Sequence, residues 1–353
     1  MNTTAKSGRV LVLGAGYGGL MAALRAADTA AVTLVDPSSD FTERVRGHEL
    51  AAGGTRITHE LAPLLRRKGV THVAARATGI DLDSRTVRTD DGAEHPYDRL
   101  VYALGSRTRD PGGHDGRVFT PETATYLHKR LADGPGRLVV VGGGLTGIET
   151  AAELAERSGW RVGLTTAGEV GPSLSGKGRA HVRDVLGRLG VDLREGAEVT
   201  PADADTDVVV WTASMSPATE LASRAGLTLG ADGRIVVDEY LRSVSHPDVY
   251  AAGDAAAAWS PDAGALRMAC ATALPAGTRA GRNAAAELSG GRARPLRYRY
   301  QLQCLSLGRH DGLVQRVRGD DSPTDLVVRG RLAATVKEQI VLSTVRVLRM
   351  AAR

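Results

Sequence analysis

The sequence predicts an α/β chain with two doubly wound, parallel-stranded units and a small C-terminal α+β unit, on three observations. A short apolar strand runs into a glycine-rich turn and a helix from Arg9. The same order recurs from Arg137, and a later strand closes on a Gly-Asp pair, Gly253-Asp254.

Composition allows this. The 353 residues are 42% hydrophobic and 24% charged, which suits a folded chain of two or three domains with real cores. The formal charge of +5 comes mostly from arginines interleaved with Asp and Glu, and only two Phe are present. That is a solvated surface that favours anionic cofactors, and no nucleic-acid partner is expected. Cys270 and Cys304 lie far apart in sequence. Without a closely spaced pair, no local redox dithiol or cysteine-rich metal site is expected. The start of the chain has no secretory pattern, and no run reaches the ~18 apolar residues of a membrane span. The expected location is cytoplasmic, with peripheral attachment to the inner face of a membrane left open.

In the first unit, the strand around Val10-Leu11-Val12-Leu13 leads into Gly14-Ala15-Gly16-Tyr17-Gly18-Gly19 and a helix rich in Ala and Leu. The glycines permit a tight turn, close backbone approach to a pyrophosphate and close helix–strand packing, and the helix start offers oriented N–H groups to phosphate. The next strand, Ala31 to Val35, ends at Asp36, an acid placed to accept hydrogen bonds from ribose hydroxyls.

In the second unit, Leu138-Val139-Val140-Val141 precedes Gly142-Gly143-Gly144-Leu145-Thr146-Gly147 and a helix carrying Glu149. Its second strand, Trp160 to Leu164, runs into Thr165-Thr166 instead of an acid. It thus has neither a carboxylate for a 2′-hydroxyl nor an adjacent Arg for a 2′-phosphate, and the choice between NADH and NADPH stays open. Two such units argue for two dinucleotides, one a carrier and one a prosthetic group.

The remaining segments assign the roles. Tyr97 to Tyr102 reads as a strand entering a glycine turn at Gly105, and His246 to Ala251 as a strand closing on Gly253-Asp254 before a further helix. Asp254 can bind sugar-alcohol hydroxyls or cap a helix; beside the other segments, the ligand reading is preferred.

Together these motifs resemble the two-dinucleotide flavoprotein superfamily, in particular the type II NADH:quinone oxidoreductases and the ferroptosis-suppressor or apoptosis-inducing-factor-like quinone reductases. The resemblance extends through a hairpin from Ile80 to Gly92, the segment Val208 to Ala213, and the stretch Tyr300 to Arg309. It implies two Rossmann-like dinucleotide-binding domains, with an NAD(P)H domain at 111–230 inserted in a discontinuous FAD domain at 7–110 and 231–290. A small C-terminal acceptor or interface domain follows at 291–353. By resemblance, Gly14, Gly16, Tyr17, Gly18, Gly19 and Asp36 hold the ADP half of FAD, Arg46 and Gly105 approach the cofactor, and Gly253, Asp254, Cys270 and Ala271 serve its flavin side. Gly142, Gly144, Thr146 and Gly147 hold NAD(P)H, and Glu149 stands near nicotinamide and flavin as the catalytic candidate. A solvated loop around Arg44, Arg46, His48 and Glu49, a buried inert Cys270, and a first-turn Glu149 stabilised by the helix dipole are the structural alternatives.

The implied activity is an FAD-dependent oxidoreductase that takes hydride from NAD(P)H and passes electrons to a quinone-like or other small aromatic acceptor. Alternatives are a flavin-dependent tailoring enzyme and a reductase of a ferredoxin-like partner. One departure bears on the acceptor: where relatives carry glutamines after the Gly-Asp segment, this chain reads Met268-Ala269-Cys270-Ala271-Thr272-Ala273. Another is Thr212-Ala213-Ser214 at a turn usually formed by Ala-Gly. His310-Asp311 reads equally as an acceptor-pocket pair or as a turn. The segment Thr335 to Arg353 has apolar residues near helical spacing, with Lys337, Arg346, Arg349 and Arg353 adding charge. Packing on its own domain or on a second copy is preferred, with membrane contact through this basic helix and a homodimer left open.

Overall fold

The computed structural model describes residues 8–109, 111–112, 116–198, 200 and 206–353. Its centre is two five-stranded parallel sheets of the same design. The first runs Val249–Ala251, Arg99–Tyr102, Arg9–Leu13, Ala31–Val35, Thr71–Val73. The second runs Val118–Phe119, Val208–Trp211, Arg137–Val141, Arg161–Thr166, Asp192–Glu195. In each, the glycine-flanked strand is central and buried on both faces, which is why its sequence is continuously apolar.

The chain leaves the first sheet after Arg99–Tyr102, builds the second, and returns with Val249–Ala251 beside Arg99–Tyr102. The nested arrangement is therefore present. An antiparallel pair, Ser106–Thr108 with Met215–Pro217, ties the outgoing and returning connections together. The expected hairpin is a three-stranded meander, Ala77–Asp81, Thr86–Thr89 and Glu94–Pro96.

The C-terminal unit is an antiparallel sheet, Leu302–Ser306, Gly312–Val317 and Pro323–Arg329, covered by the helix Arg331–Ala351. Its Leu305 and Leu313 enter the core of the second sheet, whereas Val345 and Leu348 enter that of the first, so this unit clamps the two together. Among the described residues no helix is long and apolar enough to cross a membrane.

Two expectations need correction. No helix follows directly on Asp254: a 3-10 turn at Gly253–Ala255 and short strands intervene, and the helix begins at Cys270. Lys337 is not a surface charge. It shares a helix face with Ala333, Val341 and Leu348 and is buried with them, because its ammonium has an internal carboxylate partner.

Candidate functional site

Each sheet presents a glycine-built turn, or cradle, at the end of its central strand. Gly14 has φ +95°, and a Cβ there would lie 2.5 Å from the Ala103 carbonyl oxygen; one on Gly19 would lie 1.9 Å from the Gly14 oxygen. Only glycine fits this turn. Around Gly16, by contrast, nothing lies within 4 Å of a built Cβ, so the open side of the turn is space for a ligand. The helix Tyr17–Ala26 starts there with no side-chain cap, leaving its first-turn N–H groups directed at that space.

The second cradle repeats this. Gly142 has φ +124°, a Cβ on Gly147 would fall 1.9 Å from the Gly142 oxygen, and Gly144 faces open space. The helix Leu145–Arg157 is likewise uncapped. Tyr17 turns its ring inward against Phe41, edge to face at 5.0 Å, so what it offers the cradle is its backbone N–H. Gly18 serves helix packing: Gly277 and Gly281 of Cys270–Leu288 lie against the backbones of Gly18 and Ala22, close enough that a Cβ would meet the carbonyl oxygens at 2.1 and 2.2 Å.

Asp36 ends the second strand of the first sheet, and its Oδ2 accepts the Ala15 N–H at 2.7 Å while Oδ1 accepts the Ser38 N–H at 2.9 Å. The carboxylate is thereby fixed at the rim of the first cradle. Gly105, at φ +71°, turns the chain out of the strand Arg99–Tyr102. Next to it, Ser106 Oγ donates to Asp254 Oδ2 at 2.6 Å, which joins the Gly-Asp turn to the connection between the domains. Cys270 and Ala271 form the uncapped first turn of the helix Cys270–Leu288. Burial pushes the Cys270 thiol up, so it is protonated at neutral pH. Cys270 and Cys304 are both free thiols.

The most developed chemistry lies at Glu149. This residue sits in the first two turns of the second-cradle helix and is 7% exposed. Its Oε1 accepts from the Ser306 N–H at 2.9 Å and the Ser306 hydroxyl at 3.2 Å, and the Lys337 ammonium lies 3.0 Å away. His48 Nε2 is 3.3 Å from the same hydroxyl. Burial works to raise the Glu149 pKa, but Lys337, then His48 and the Ser306 amide, outweigh it and hold the carboxyl below its ordinary range. Burial likewise works against charge on Lys337, and Glu149 reverses that and pushes its pKa up. His48 is pushed down by its burial and is neutral at neutral pH. A cavity of about 110 Å³ abuts Glu149, His48, Thr146 and Thr212; another of about 530 Å³ opens past His48, Ser306 and Lys337, between the C-terminal helix and the 45–49 segment. His48, buried, borders both.

Arg46 lies beside this cluster and is fully engaged. Its Nη1 is 2.8 Å from Glu49, its Nη2 2.6 Å from Glu338 and its Nε 3.4 Å from Glu43. The solvated-loop alternative fails here, since Arg46, His48 and Glu49 are all buried; the side chain braces this segment against the C-terminal helix. Asp311 accepts from His181 Nε2 at 2.9 Å and from the Gly312 N–H at 2.7 Å, whereas His310 lines the larger cavity. Sequence reasoning named His48 only within a charged cluster and missed Ser306 and Lys337 as its companions. A lysine in register with Ala333, Val341 and Leu348 on an amphipathic helix was the available signal.

The cradles fit two dinucleotides, and comparison with known proteins agrees. The sequence profile of the pyridine nucleotide-disulphide oxidoreductase family matches residues 8–277. An NADH dehydrogenase-like protein of Mycobacterium tuberculosis is 34% identical over 348 residues, covering 85% of this chain and 86% of that protein. A type II NADH:quinone oxidoreductase of Staphylococcus saprophyticus is 28% identical, covering 94% of each chain. The solved sulfide:quinone oxidoreductase of Aquifex aeolicus shares the fold with a TM-score of 0.75 at 19% identity, covering 98% of this chain and 92% of that one. With its two uncapped glycine cradles on twin parallel sheets, this chain is an NAD(P)H-dependent flavin oxidoreductase and belongs to the pyridine nucleotide-disulphide oxidoreductase family.

Proposed function

We propose that this chain passes reducing equivalents from NAD(P)H to a small quinone-like acceptor, with FAD in the first cradle and the pyridine nucleotide in the second. The observation that carries the reading is the bonding of Glu149, on the nucleotide side, to Ser306 and Lys337 of the C-terminal unit. That contact brings a carboxylate, a hydroxyl, an ammonium and a neutral imidazole to the wall between two cavities. In the first cradle, Gly14, Gly16, Gly18 and Gly19 receive the pyrophosphate, Asp36 the adenosine ribose, and Asp254 with the helix start at Cys270-Ala271 the flavin side. Bound FAD supplies the two-electron relay between nicotinamide and acceptor.

The protein's own work is to hold and move protons. One hydride from the nicotinamide and one proton from solvent convert a quinone to a quinol, so a proton must reach the acceptor for each turnover. The hydrogen-bonded series His48, Ser306, Glu149 and Lys337 is a route for it, with Lys337 compensating the buried carboxylate. Arg46 keeps the His48-bearing segment in place through Glu49 and Glu338. The C-terminal helix, Arg331–Ala351, covers the cluster and shields it from bulk water.

Steady-state oxidation of NADH and NADPH by the yellow holoenzyme with soluble quinones tests this. Turnover is expected to be insensitive to salt, as for an uncharged acceptor. Failure to turn over any quinone, together with rapid, salt-sensitive reduction of an iron–sulfur protein, would replace a quinone by a protein acceptor.

A further inference from the structure

The two cradles of this chain can be matched residue by residue from their own hydrogen bonds. The Gly14 N–H donates to the Val35 carbonyl at 2.9 Å, and the Gly142 N–H to the Thr165 carbonyl at 2.9 Å. Val35 is therefore equivalent to Thr165, and Asp36 to Thr166. Where the first cradle fixes a carboxylate at its rim, the second has the hydroxyl of Thr166, lying over the glycine turn: a Cβ on Gly143 would meet Thr166 Oγ1 at 2.7 Å.

Three carboxylates near Thr166 are engaged elsewhere. Glu195 is the register partner of Thr166 on the adjacent strand, but it accepts two bonds from Arg183, both 2.9 Å, and the Val170 N–H at 2.7 Å. Glu169, in the loop beyond Thr166, lies 3.5 Å from Arg179 and 3.9 Å from Arg183. Asp192 is held by Arg194 at 2.8 Å. These three acids are each matched by an arginine, and Arg179, Arg183 and Arg194 each by an acid, so the six together carry no net charge. A carboxylate at the Asp36-equivalent position would grip a ribose 2′-hydroxyl and repel a 2′-phosphate. An unengaged arginine there would do the reverse.

We propose that the second cradle accepts nucleotides with and without a 2′-phosphate with comparable affinity, and that Thr166 is the residue that removes the discrimination. This rests on the reading that the second cradle holds the pyridine nucleotide. It assigns the reductant class as NADH and NADPH alike.

Titration calorimetry of the FAD-loaded protein with ADP-ribose and with its 2′-phosphorylated form tests the proposal without any redox step. The two dissociation constants are expected to lie within about tenfold of each other, or ~1.4 kcal/mol. A gap beyond tenfold in either direction overturns the proposal. In Thr166→Asp, the phosphorylated ligand is expected to weaken at least about tenfold relative to ADP-ribose, and an unchanged ratio overturns the role of Thr166. If neither ligand binds at all, it is the assignment of the second cradle that fails.

Discussion

Lys337→Met isolates the energetics of the central cluster. The substitution keeps the length and apolar stem of a side chain that is 8% exposed, and removes the ammonium 3.0 Å from Glu149 Oε1. Glu149 would then keep the Ser306 bonds but lose the largest influence that holds its pKa down, with burial left to raise it. Removing one partner of a buried ion pair costs about 3–5 kcal/mol. The pH dependence follows. In the wild type the Glu149 pKa is depressed below 4.5, so its contribution is present above that value and is lost as pH falls through the folded-state pKa. In Lys337→Met, burial is expected to raise that pKa, so the penalty should grow as pH rises above 4.5 and shrink in acid. Urea unfolding of the holoprotein at neutral pH and near pH 4.5 measures both. Adding Glu149→Gln should recover most of the loss. A neutral-pH destabilisation below about 1 kcal/mol, the range of an exposed pair, or one that does not change with pH, would mean that the pair is not a buried ion pair.

Other predictions follow from the cradles and the helix pair. Gly16→Ala and Gly144→Ala should fold normally, because beyond the adjoining residues nothing lies within 4 Å of the added Cβ. The first should weaken FAD retention in gel filtration, and the second should raise the KM for NAD(P)H about tenfold or more while the protein stays yellow. Gly277→Val should destabilise the chain by about 3 kcal/mol or more in urea, since its first carbon would sit 2.1 Å from the Gly18 oxygen between two helices; a loss below about 1 kcal/mol would mean the helices part easily. His48 has a folded-state pKa depressed below 6.5, so its neutral form favours the fold at higher pH. Stability should fall by up to about 1.4 kcal/mol per pH unit below 6.5 until its folded-state pKa is reached. His48→Gln should flatten that slope.

The architecture was legible because the signals that build it are local. A glycine that must adopt positive φ, an uncapped helix start and an apolar strand occupy neighbouring positions, so Gly14 to Asp36 and Gly142 to Thr166 could be read from spacing alone. The Glu149 cluster could not, since its members come from the 47–53 helix, the second cradle, the strand Leu302–Ser306 and the C-terminal helix. Glu149 was visible by its place after a glycine motif. Lys337 was hidden by its type: a lysine on an amphipathic helix is usually solvated, and only its register with Val341 and Leu348 argued otherwise. Arg46 was similar. Its cluster stood out as charged, while the three carboxylates that engage it come from both ends of the chain. Cys270 and Cys304 are remote in sequence, and both are free thiols in the structure.

Hydride transfer into the first cradle is read most directly by anaerobic titration of the purified protein with NADH and, separately, NADPH, following the visible absorption of bound flavin. A yellow protein is expected, whose flavin bleaches with about one equivalent of either nucleotide and regains its colour on addition of a quinone. A colourless protein that cannot be loaded with FAD, or a bound flavin that stays oxidised with both nucleotides, would contradict it.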